Sequence, residues 1–167
     1  TCLEHGTPAR LAELCREFPA LAFEAYHGED IYVHNPNYVT QAHLAKVASP
    51  YRAAPIPEMP TPWTKVILEQ DESCLKAVQA RLLARWGEHY EAIFSNRYLL
   101  ELTAKGCHKG AMAAKAAELL HIAPGRLYCM GDNQNDIPML ALSAIPFAPA
   151  NCAREVRDWG ARVLGHC

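Results

Sequence analysis

The reading of the fold turns on residues 127–140, LYCMGDNQNDIPML. The first four are apolar, as in a parallel strand buried on both faces. Gly131 ends the run, and residues 135–142 then have the spacing of a helix. In an open α/β sheet, ligands bind beyond the carboxyl ends of the strands. Asp132 falls at that point, and Asn135 and Asp136 open the helix one turn later.

The same alternation extends outward. A helix is expected over 108–121, a strand over 145–148, a helix from about 151 and a strand over 162–164. Helices alternating with short strands predict a parallel, Rossmann-like sheet for residues 105–167. Residues 1–104 have another pattern. Thr7 and Pro8 open a helix with Thr7 as its cap. Residues 21–27 and 31–34 form a hairpin around Gly28-Glu29-Asp30, and a short helix follows Pro36. Five prolines make residues 50–62 an extended connection. KVILE at 65–69 is a strand, and Asp71 caps a helix with Leu75, Val78, Leu82 and Trp86 on one face. Residues 91–95 and 98–103 form a second hairpin. The expectation for 1–104 is an α+β unit with an antiparallel sheet and helices on one side. The fold class is therefore α/β, a partial Rossmann-like sheet plus an α+β domain.

Two chemical features lie in the second part. Asp132 and Asp136 are two carboxylates with amides between them, a donor set for a hard divalent cation such as Mg2+. The same residue types also cap helices, so Asp132 and Asn135 can be read as mere turn residues. Lys109 opens the 108–121 helix between His108 and Gly110. A lysine there runs against the helix dipole, which suits a cation aimed at a phosphate, although a surface lysine is the plainer reading.

Taken together, Lys109-Gly110, residues 131–140 and residues 151–156 resemble the haloacid dehalogenase superfamily, in its Cof-type phosphatase branch. Cys152 stands where that branch has alanine. The resemblance implies that Asp132 ligates Mg2+ directly and that Asp136 holds the metal site from behind that ligand or through water. It implies that Lys109 neutralises the phosphoryl group and that Asn135 contacts phosphate or substrate. Residues 1–104 resemble the cap domain of this branch. The implied activity is Mg2+-dependent hydrolysis of a small phosphorylated metabolite (a sugar phosphate, nucleotide or cofactor phosphate) through an aspartyl-phosphate. A phosphomutase shares the scaffold.

The branch begins with DxDGT, whose first aspartate is the nucleophile. Aspartate occurs here only at 30, 71, 132, 136 and 158, so there is no Asp-x-Asp pair. The expectation is a piece of a longer enzyme that is inactive by itself; the rival is a non-catalytic module that binds a metabolite or partner.

Composition narrows the classes. Half the residues (50%) are hydrophobic and the net charge is -2, which argues against a nucleic-acid partner. No apolar run is long enough for a membrane span. Seven cysteines, at 2, 15, 74, 107, 129, 152 and 167, contain no CxxC pair and read as reduced, implying a cytoplasmic setting. Eight histidines are dispersed without HExxH, so a histidine-bound metal is not expected. Ser73, Ser95 and Ser143 lack a GxSxG setting. Tyr26, Tyr32, His34 and Asn35 lie on the first hairpin and could face substrate, although tyrosines on strands are more often packing residues. Oligomeric state is not readable.

Overall fold

The computed structural model describes residues 1–123 and 125–165, so His166 and Cys167 lie outside the described residues. The chain divides into two compact units, Thr1–Ile93 with Arg97–Lys105, and Phe94–Asn96 with the chain from Gly106 onward. The protein is α/β, with a mainly antiparallel sheet and a separate parallel sheet.

Up to residue 105 the chain runs through α1 (Thr7–Glu17), β1 (Ala22–His27), β2 (Asp30–His34), α2 (Tyr38–Val47), β3 (Arg52–Ala53), β4 (Lys65–Glu69), α3 (Glu72–Trp86), β5 (Tyr90–Asn96) and β6 (Leu99–Ala104). The sheet order is β3-β2-β1-β4-β6-β5. β1 pairs antiparallel with β2 and β4, β4 antiparallel with β6, and β2 parallel with β3.

Local sequence explains most of these boundaries. Gly28 takes φ 58° in the first hairpin turn, where an L side chain would be strained. Asp71 caps α3 by accepting from the Cys74 amide at 3.0 Å. Asn37 caps α2, accepting from the amides of Val39 and Thr40, while the Asn37 amide donates to Thr40 Oγ1.

Three expectations need correction. Thr7 is not a cap: Gly6 holds that position, and Thr7 Oγ1 is buried in a 2.9 Å hydrogen bond with Tyr90 Oη. A buried hydroxyl left unpaired would cost more than a missing exposed cap. The proline-rich link contains β3 and a single 3-10 turn at Ile56–Glu58. The helices do not all lie on one side of the sheet. Consecutive residues Ala22, Phe23, Glu24 and Ala25 are all fully buried, so both faces are covered. α2 covers one face, packing Val39 and Leu44 on Tyr26, Ile31, Val33, Ile67 and Leu99. The opposite-parity residues Phe23, Val66, Leu68, Leu100 and Leu102 are buried with Leu11 and Leu14 of α1 and Leu75, Val78 and Leu82 of α3.

In the second unit come α4 (Lys109–Leu119), β7 (Cys129–Met130), a 3-10 turn (Gln134–Asp136), α5 (Ile137–Leu140), β8 (Pro146–Ala148), α6 (Arg154–Trp159) and β9 (Arg162–Val163). The order β7-β8-β9 is parallel throughout. Its core is Cys129, Leu140, Ala148, Cys152, Val156 and Ala161. The 127–130 stretch is not buried on both faces. Tyr128 is 61% and Met130 55% exposed, so the face that these two alternate residues share is left open. The expected 135–142 helix is only a 3-10 turn and one α-turn, after which Ser143 takes over the backbone. Its Oγ accepts from the Cys129 amide at 2.8 Å and donates to Ile145 O at 2.7 Å.

α4 meets α5 without room for a side chain. A Cβ on Gly110 would lie 2.4 Å from Pro138 O and 2.6 Å from its carbonyl carbon, both backbone atoms. Gly110→Ala is therefore expected to force the helices apart and cost about 1–3 kcal/mol. Hydrogen exchange should show faster exchange in α4 and α5 with the first unit unchanged; wild-type protection in those helices would refute the packing.

Candidate active site

Asp136 organises the loop after β7. Its Oδ2 accepts from the amides of Asp132 and Asn133 at 2.8 and 3.1 Å. The Asp136 amide in turn donates to Asn133 O at 3.0 Å. These bonds between Asp136 and the residues before it are why the sequence DNQND folds back on itself directly after a strand. Gly131 makes the close approach possible: a Cβ there would lie 2.3 Å from Asp136 Cβ. The Gly131 amide donates to Phe147 O at 3.1 Å and the Ala153 amide to Asp132 O at 2.7 Å, which tie the loop to β8 and to the start of α6.

Lys109 is the first residue of α4, where His108 acts as the cap through Nδ1. Lys109 Nζ donates to Asp136 Oδ1 at 2.5 Å. The Asp136 side chain is 5% exposed and the Lys109 side chain 49%. Burial alone would raise the Asp136 pKa; the Lys109 ammonium and the two amides outweigh it and hold the carboxyl below its ordinary value.

The four residues singled out from the sequence thus have different settings. Asp136 accepts from three donors of the protein. Asp132 is exposed, and its carboxylate has no hydrogen-bond or ion-pair partner among the described residues. Asn135 is buried, and its Oδ1 has no hydrogen-bond partner. Lys109 keeps one ammonium proton on Asp136 and has two more to give. Sequence reasoning missed Gly131, Asn133 and His108, whose parts are purely geometric. The cap consensus at Asn133 and Asp136 was the available signal for one of them.

An acidic loop beyond a parallel strand, facing a lysine at a helix start, places the protein among α/β proteins with a site at the carboxyl end of the sheet. A family profile of haloacid dehalogenase-like hydrolases matches residues 3–165. The chain belongs to that family. A candidate HMP-PP phosphatase from Shigella dysenteriae serotype 1 (strain Sd197) is 29% identical over 106 residues, 62% of this chain and 72% of the relative. A haloacid dehalogenase-like hydrolase from Bacteroides thetaiotaomicron superposes with a TM-score of 0.79 at 20% identity, over 98% of this chain and 62% of that one. A subclass IIB sugar phosphatase of the superfamily superposes with a TM-score of 0.85 at 18% identity, over 99% and 62%. The chain spans about three fifths of the length of these two solved structures.

Two outcomes follow for the loop. Gly131→Ala should displace the Asp136 carboxylate and destabilise the second unit by about 1–3 kcal/mol. The Asp136 shift fixes a pH window. Its folded pKa lies below the ordinary 3.8, so its stabilisation is present above pH 3.8 and is lost as pH falls through the folded value. Urea titrations should therefore show Asp136→Asn weaker than wild type at pH 7, with the gap closing in acid below 3.8. A gap independent of pH would contradict an ionised Asp136.

Proposed function

We propose that this chain is the cap and later core portion of a Mg2+-dependent phosphatase acting on a small phosphorylated metabolite. The carrying observation is the Lys109–Asp136 pair, which fixes the loop from behind while Asp132 stays free and exposed.

The donor chemistry fits a hard cation. Asp132 offers an uncommitted carboxylate and Asn135 Oδ1 is a buried acceptor without a partner. Magnesium takes one or two carboxylates and fills its shell with water and phosphate oxygens. Asp132 would hold it, with Asp136 positioning the loop; bound there, the ion would neutralise charge on the phosphoryl oxygens. Lys109 would hold Asp136 with one proton and meet a phosphate oxygen with another, keeping positive charge on the group being transferred.

The proposed division of labour is a cap in residues 1–104 that selects the substrate and a core portion in residues 105–167. No Asp-x-Asp pair occurs among these residues, so the nucleophile would come from further chain. The edge position of β7 in the described sheet suits a sheet that continues there. The family match, the relative's printed activity and the coverage of 62% support this reading. A sugar phosphate is one substrate class in keeping with the subclass IIB neighbour. No helix among the described residues is long and apolar enough to cross a membrane.

These 167 residues alone should not turn over p-nitrophenyl phosphate with Mg2+, since covalent phosphoryl transfer needs a carboxylate nucleophile. In a longer protein carrying a DxDGT segment, Lys109→Ala and Asp132→Ala should each reduce kcat by on the order of 100-fold or more. Robust hydrolysis by the chain alone would mean that one of its own carboxylates is the nucleophile. An inactive longer protein that still binds phosphorylated metabolites would favour a binding module.

A further inference from the structure

The first unit buries two carboxylates on one face of its sheet. Glu24 on β1 and Glu69 at the end of β4 are both 0% exposed. Glu24 lies opposite Ile67, two residues from Glu69, so strand alternation puts both on the face beneath α2. His43 of α2 comes down between them. Its Nδ1 is 2.8 Å from Glu24 Oε1 and 3.6 Å from Glu69 Oε1.

The other carboxylate oxygens are already held. Tyr26 Oη donates to Glu24 Oε2 at 2.6 Å, and Thr40 Oγ1 donates to Glu69 Oε2. Burial first, and then Glu24, push the Tyr26 pKa up and keep that hydroxyl a donor. α2 is docked on the same strand through its cap, since Asn37 Nδ2 donates to Glu69 O at 3.1 Å. Each glutamate is therefore fixed by Oε2 and presents Oε1 to the imidazole. Glu69 Oε1 is buried and makes no hydrogen bond at all.

We propose that Glu24 Oε1, His43 Nδ1 and Glu69 Oε1 form a metal site for a borderline divalent ion, zinc, distinct from the acidic loop of the second unit. All three ligand positions lie within 4.8 Å of one another. Donors bound to tetrahedral zinc at about 2.0–2.1 Å sit roughly 3.3 Å apart, between the two distances seen from His43. Two oxygens and an imidazole nitrogen suit zinc, whereas magnesium takes oxygen donors. Tyr26 and Thr40 supply the supporting hydrogen bonds that orient ligating carboxylates in such sites. His43 is 18% exposed and gives the ion a way in, with the fourth position left for water.

Charge favours the same conclusion. Glu101 pairs with Ile67 on this face and adds a third carboxylate, while Lys65 lies 4.5 Å over the Tyr26 ring. Burial and the neighbouring Glu24 push the Glu69 carboxyl up to about 8 despite the Thr40 hydrogen bond, so without a cation the site holds a proton at neutral pH. A divalent ion would displace that proton, with the imidazole proton carried on Nε2, and would neutralise both carboxylates where they stand.

The test is zinc titration of the chelator-stripped chain by calorimetry in buffers of differing ionisation heat, with cobalt(II) as the absorption probe. Expected is one saturable equivalent, release of protons, and a rise in Tm with zinc. His43→Ala and Glu69→Gln should each abolish that equivalent, whereas Asp132→Asn should leave it intact. Glu69→Gln is nearly isosteric with the protonated glutamate, so its circular dichroism should match wild type and show that lost binding is not lost folding. Absence of a saturable equivalent, persistence of it in both site variants, or its loss in Asp132→Asn would each overturn the site.

Discussion

The second unit depends on one carboxylate. Asp136 collects two backbone amides and the Lys109 ammonium, and its Cβ fills the space that Gly131 leaves vacant. A buried anion is tolerated only when its lone pairs are met by donors, and here all three come from the protein. The geometry of the loop follows from that requirement. Asp132 is turned outward because its own amide is bound inward to Asp136, and the first residue of α4 is aimed at the loop because its ammonium completes the set. A rigid support for an exposed carboxylate is what the proposed phosphoryl-transfer site would require, since such chemistry rests on positioning and charge.

The first unit handles buried charge differently. Glu24 and Glu69 are as deeply buried as Asp136, yet the groups around them are hydroxyls and a histidine rather than a permanent cation. Asp136 is stabilised ionised and its pKa falls; Glu69 is stabilised protonated and its pKa rises. The contrast separates a carboxylate with a resident lysine from one whose charge is balanced only by a proton or an added cation.

The sequence was legible where local chemistry sets the outcome. The two hairpins, KVILE as β4 and the Asp71 cap of α3 all follow from turn residues, alternation and capping, which act over a few positions. It was less legible where partners are distant. Thr7 has the look of a cap but spends its hydroxyl on Tyr90, and residues 127–130 look buried but contribute only Cys129–Met130 to a strand and leave Tyr128 and Met130 exposed. Pairing over such separations, and the position of a strand within its sheet, leave no mark on a short window of residues.

By itself the sequence determined the order of elements, the α/β class and the family, because GDxxND, its spacing from Lys109 and the apolar periodicities are local, ordered signals. Only the tertiary structure decided how each polar residue is partnered. It gives Asp136 three donors and frees Asp132, two aspartates that look alike in the sequence. It also gathers Glu24, His43 and Glu69 from β1, α2 and β4, although dispersed histidines had given no reason to expect a cluster. The physical reason is that burial and ligand geometry depend on which faces meet across strands and helices, and folding sets that separation independently of distance along the chain.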